Sequence, residues 1–159
     1  MKTSITVCAA ALLLTLPAFA ATTGQVKITG NVPIACDLEI NEEPGASNIT
    51  DLSAGHPNLH VATATETCND PDGYTVTMLG GNSGNHEGKF VDTVSGDEHP
   101  FTVTYNGVSV SPGGVVTDSS TVAVNLQKPV HITYPPEPSL TGTVADTYEE
   151  TLTFTISAK

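Results

Sequence analysis

The last twelve residues, Tyr148–Lys159, read YEETLTFTISAK. Tyr148, Leu152, Phe154 and Ile156 fall on one parity, and Thr151, Thr153, Thr155 and Ser157 on the other. That two-residue period places apolar side chains on one face and hydroxyls on the opposite one, as in a strand with a dry side and a wet side. No stretch beyond the first twenty residues carries a 3.6-residue apolar period, so helices contribute little to the expected fold.

Working outward, further apolar runs alternate with turn signals. Candidate strands are residues 26–40 (broken near Pro33), 59–68, 73–79, 89–94, 101–105, 108–110, 121–126, 130–134 and 148–157. Between them lie Asn69-Asp70-Pro71-Asp72-Gly73, Gly80-Gly81-Asn82-Ser83-Gly84, Ser111-Pro112-Gly113-Gly114 and Pro135-Pro136-Glu137-Pro138. Asn106-Gly107 is the sharpest of these, because both residue types tolerate the positive φ of a type I′ hairpin. The connections are too short for crossover helices. The pattern therefore predicts an all-β, antiparallel, immunoglobulin-like sandwich of about seven to nine strands.

Residues 1–20 read as a secretory signal. Lys2 gives a basic start, Ile5–Leu16 is apolar, and Ala18-Phe19-Ala20 forms an A-x-A cleavage site. The apolar run falls short of the roughly 20 residues a membrane-spanning helix needs. Cys8 is preceded by Val7 and sits early in that run, which does not suit a lipid anchor. The expected product is one exported domain, residues 21–159, without membrane insertion. Only Cys36 and Cys68 remain in it, and an even count in an oxidising compartment predicts a disulfide.

The chain has 17 acids, five lysines (one of them Lys2) and no arginine. Phosphate backbones and anionic lipid repel such a surface, which speaks against nucleic acid as a partner. Solubility of an exposed surface accounts for the charge.

Catalytic signatures are missing from the sequence: it has no G-x-S-x-G elbow, no H-E-x-x-H pair and no spare cysteine nucleophile. Ser83 is explained by its turn. His56, His60, His86, His99 and His131 are dispersed along the chain and read as surface residues rather than zinc ligands. Asp70-x-Asp72-Gly73, with Asn69, is oxygen-rich in the manner of calcium loops but lacks the twelve-residue spacing to a closing glutamate. It reads first as a turn, with calcium left open. The expectation is a non-enzymatic protein without a cofactor.

Three segments carry a resemblance. TGQVKITGNVPIAC (23–36), ATETCNDPDGYTVTMLGG (64–81, after Ala62-Thr63) and ADTYEETLTFTISAK (145–159) resemble the first strand, the second-cysteine strand and the closing strand of bacterial chaperone–usher pilins. The nearest likeness is to the spore coat protein U domain group, which includes the archaic pilus subunits. The chain departs from that pattern at Glu150, where the group has aspartate, and at its end, Ser157-Ala158-Lys159, where the group has an aromatic residue.

The resemblance implies a pilin-type sandwich lacking its last strand. A periplasmic chaperone would occupy the resulting groove, and a neighbouring subunit's leading segment would replace it at an outer-membrane usher. Residues 21–30 would be that donor strand, with Thr22, Gly24, Val26, Ile28 and Gly30 on one face and Val26 and Ile28 as the plugs. Strand addition of this kind draws affinity from main-chain bonds and specificity from alternate side chains. The implied role is a structural or adhesive subunit of a surface fimbria, supporting attachment or biofilm formation. The rival reading is a self-contained secreted binding module whose first strand pairs within its own chain.

Overall fold

Alternating apolar and polar residues, interrupted by glycine, proline and asparagine, leave extended pairing as the way for this backbone to satisfy its hydrogen bonds. The computed structural model describes residues 23–47, 49–81, 88–136 and 147–159. Its strands are β1 (Cys36–Glu42), β2 (His56–Cys68), β3 (Tyr74–Gly80), β4 (Lys89–Asp92), β5 (Glu98–Pro100) and β6 (Thr102–Tyr105). They are followed by β7 (Val108–Val110), β8 (Gly114–Ser119), β9 (Ala123–Tyr134), β10 (Tyr148–Glu149) and β11 (Leu152–Ala158). One helical turn, α1 (Pro44–Ser47), and a 3₁₀ turn at Leu52–Ala54 link β1 to β2. The chain divides at Val32/Pro33 into two units.

Within the unit beginning at Pro33, one sheet has the order β1-β2-β9-β6-β7 and a second has the order β11-β3-β8. A small third sheet is ordered β10-β4-β5. Every pairing is antiparallel. The first two sheets carry the core: Ala62, Ala64, Val103, Tyr105, Val130 and Ile132 from one side meet Met78 from the other, with Phe154 packed against them. A second cluster joins Cys68, Ala123, Tyr74 and Val76. The all-β antiparallel sandwich expected from the sequence is what the structure shows.

Several local expectations hold. Asn106 (φ 50°) and Gly107 (φ 79°) turn the β6–β7 hairpin. In β11, Leu152, Phe154 and Ile156 are half-buried while Thr153, Thr155 and Ser157 are exposed. Other boundaries move. Residues 121–126 and 130–134 are not separate strands but mostly one strand, β9, running through Pro129. Pro129 is tolerated because its carbonyl faces the β6 side, where it accepts the Asn106 N–H at 2.8 Å. Its missing N–H faces that same side, opposite Asn106 in the turn, so the loss falls at the end of the β6 ladder. β5 and β8 were not expected. Glu98-His99-Pro100 has too few apolar residues to signal a strand, and Gly114 belonged to a turn signal.

The interior is not purely apolar. Glu66, on β2, is 0% exposed. Its carboxylate accepts hydrogen bonds from the hydroxyls of Tyr74, Tyr105 and Thr117, each at 2.7 Å. Lys128 Nζ lies 3.6 Å away. Tyr105 and Lys128 belong to Glu66's own sheet, whereas Tyr74 and Thr117 belong to the opposing one. The carboxylate thus ties the two sheets together. Burial first, then the Glu66 carboxylate, pushes both phenols above their ordinary range.

Candidate subunit interface

β1 hydrogen-bonds to β2 alone, and β11 to β3 alone, among the described strands. These two open edges approach one another across the seam between the sheets. The side chains beneath the seam are apolar: Leu38 and Phe154 pack against both core clusters, Leu152 against one and Ile156 against the other. Their burial is incomplete. Central positions such as Ala64, Val76, Val103 and Val130 are fully buried, yet Leu38 and Phe154 are half-buried and Ile40 is 36% exposed. Apolar surface and ladder positions without a strand partner therefore coincide along one line, the combination that strand addition uses.

The root of the leading segment is clamped beside this seam. Cys36 and Cys68 form the expected disulfide. Asn69, next in the chain, binds the backbone on both sides. Its Oδ1 accepts the Ala35 N–H at 2.7 Å, its Nδ2 donates to the Pro33 carbonyl at 3.0 Å, and its own N–H donates to the Ala35 carbonyl at 3.1 Å. The side chain imitates one rung of a ladder and continues the β1–β2 pairing by one step. Asn69 is committed to this role, and Asp70 Oδ1 accepts the Asp72 N–H at 3.0 Å within the turn.

The leading unit is described from residue 23 to residue 32. It has no regular secondary structure, and every residue in it is exposed. Val26 is 87% exposed and Ile28 is 90% exposed. Gly24 and Gly30 have open space where a side chain would stand. Thr22 lies outside the described residues. The strand expected over residues 26–40 is therefore corrected to Cys36–Glu42. Pro33 has no N–H for a ladder, and glycines at 24 and 30 weaken a strand.

The histidines are not all scattered. His60 on β2 stands opposite His131 on β9, and their rings stack with centroids 4.7 Å apart. His60 Nε2 lies 3.3 Å from Thr63 Oγ1, which also donates to Glu43 Oε1 at 3.3 Å. His99 is buried against Phe90 and Tyr134, and His56 lies beside Tyr134. Only the cross-strand register brings His60 and His131 together, which spacing along the chain could not reveal. His86 and Ser83 lie outside the described residues. Among the described residues, no three histidine, cysteine or acidic side chains form a metal-binding group.

Partial burial, and then the charge of His60, hold the His131 imidazole below its usual range. The unfolded chain accordingly binds a proton more readily than the folded one. Stability from this site is complete above the ordinary histidine pKa of about 6.5 and is lost as pH falls through that value toward the depressed one. His131→Gln is expected to flatten that part of the Tm-against-pH curve. Parallel curves for the two proteins would refute the assignment.

Among the described residues, no helix is long and apolar enough to cross a membrane. No family model matches the chain, and a search of curated proteins found no match.

Proposed function

We propose that this protein is a structural or adhesive subunit of a bacterial surface fimbria, built by strand addition between copies. One observation carries the reading: a half-covered apolar seam lies between two open strand edges, and the same chain carries an exposed, unpaired segment with apolar residues at alternate positions. The rival reading, a self-contained module, would place residues 26–34 in a strand of its own sheet. In the immunoglobulin arrangement, sheets ordered A-B-E-D and C-F-G enclose the core. Here β1-β2-β9-β6 corresponds to the first, and β3 with β11 to C and F. The flank of β11 is where a G strand from another molecule would sit. On this reading a periplasmic chaperone holds the seam before the next subunit's residues 21–30 replace it at an outer-membrane usher. The assembled fibre then supports attachment or biofilm formation.

Seating Val26 and Ile28 beneath the seam would contribute roughly 1.5–3 kcal/mol each. The double substitution Val26→Asp, Ile28→Asp in the mature chain is thus expected to weaken self-association by more than a hundredfold, at about 1.4 kcal/mol per tenfold. Because both side chains are exposed in the subunit, its own unfolding curve should stay unchanged. Size-exclusion chromatography in detergent, alongside urea unfolding, reads both effects. A wild-type chain that remains monomeric at high concentration, with amides near Val26 and Ile28 protected from exchange, would overturn the proposal.

A further inference from the structure

Charge is divided along the chain in a way that composition alone does not reveal. All 17 acids lie at Asp37 or beyond. Residues 21–36 hold a single charged side chain, Lys27. The other lysines of the mature chain are paired with acids of the folded unit: Lys89 with Glu98 at 2.8 Å, Lys128 with Glu66 at 3.6 Å and Lys159 with Asp118 at 2.5 Å. Residues 37–159 thus set three lysines against 17 acids, a net charge of −14. The leading segment is cationic, with Lys27 exposed between Val26 and Ile28.

The seam offers that cation a place. On a strand whose Val26 and Ile28 point into the sandwich, Lys27 points out. The outward row of β1 beside the seam contains Asp37 and Glu39, both exposed and paired in register with Thr67 and Thr65. The outward row of β11 is Thr153, Thr155 and Ser157, which carries no charge. A strand added beside β11 also runs along the edge of β1, because the two edges approach one another at the seam. A lysine on it comes within the screening length of about 10 Å at 0.1 M salt of the β1 carboxylates.

We propose that Lys27 of one copy docks against the Asp37–Glu39 row of the next copy and steers the leading segment into the seam. The proposal rests on the strand-addition reading above and adds to it the feature that orients the approach. Two bodies of the same strong negative charge repel one another. Lys27, together with the α-ammonium group that signal cleavage leaves on Ala21, makes the leading segment the favourable point of approach.

The test compares assembly rates of the full mature chain by light scattering, for wild type, Lys27→Glu, Asp37→Lys with Glu39→Lys, and all three substitutions together. At about 20 mM salt, Lys27→Glu is expected to assemble roughly tenfold more slowly, and the difference from wild type should shrink below about twofold near 0.5 M salt. Comparing variants at each salt concentration removes the repulsion common to all of them. The β1 double substitution should slow assembly similarly, and combining it with Lys27→Glu should restore much of the rate. Glu39→Lys alone, with an unchanged urea midpoint, serves if the double substitution unfolds. Lys27→Glu assembling at the wild-type rate in low salt would overturn the steering while leaving strand addition in place. A wild-type chain that fails to assemble at any salt concentration would remove the reading beneath it.

Discussion

Replacing Glu66 by alanine is expected to lower the unfolding free energy by about 3–5 kcal/mol, the usual cost of removing one member of a buried ionic cluster. The substitution leaves Tyr74, Tyr105 and Thr117 without the acceptor they share, and Lys128 without its counter-charge. Each buried hydroxyl deprived of a partner costs roughly 1–3 kcal/mol. Lys128 can extend toward water and recover part of the loss, which holds the total near the stated range. Glu66→Gln keeps the shape and the acceptor oxygen but loses the charge, so its expected cost is smaller. Removing the carboxylate and its three hydroxyl donors, with Glu66→Leu, Tyr74→Phe, Tyr105→Phe and Thr117→Val together, should recover stability relative to Glu66→Ala, because no orphaned hydroxyl remains and Lys128 can reach water. Urea unfolding of the oxidised mature chain measures all three. A loss below about 1 kcal/mol for Glu66→Ala would mean that water satisfies the cluster in solution.

Removing the disulfide with Cys36→Ser and Cys68→Ser together is expected to cost about 3–4 kcal/mol. Its sequence separation of 32 residues sets this value on the loop-closure account. The loss should concentrate in β1, whose only strand partner among the described strands is β2 and whose outer edge borders the seam. Native-state hydrogen exchange should therefore show the amides of Cys36–Glu42 opening first, while β3 and β9 keep their protection. Against a typical margin of about 5–15 kcal/mol, a subunit with an uncovered seam has little to spare. Uniform loosening of every strand would argue that the bond restrains only the unfolded chain and has no particular hold on β1.

The fold was legible where one residue's chemistry decides local geometry. Thr151 through Ser157 alternate so strictly that β11 needed no tertiary information, and Asn106-Gly107 marked its hairpin because few other pairs accept positive φ twice in succession. Cys36 and Cys68 found each other by elimination. Elements with mixed chemistry were missed. β8 enters from a glycine turn, and β5 is three residues with a buried histidine at its centre. Glu66 did leave a trace, since it shares the inward parity of Ala62, Ala64 and Cys68. An acid at an inward position calls for partners, but Tyr74, Tyr105, Thr117 and Lys128 lie too far along the chain for spacing to nominate them.

By itself, the sequence determined the period of its strands, the places where the chain turns, its covalent bond and the separation of positive from negative charge. These follow from side-chain volume, backbone freedom and ionisation, which belong to single residues or near neighbours. Only the tertiary structure decided that residues 23–32 stand unpaired, that the edges of β1 and β11 lie side by side over half-covered apolar side chains, and that Glu66 joins two sheets. Those depend on which strands become neighbours, and pairing across tens of residues is settled by packing the whole core at once.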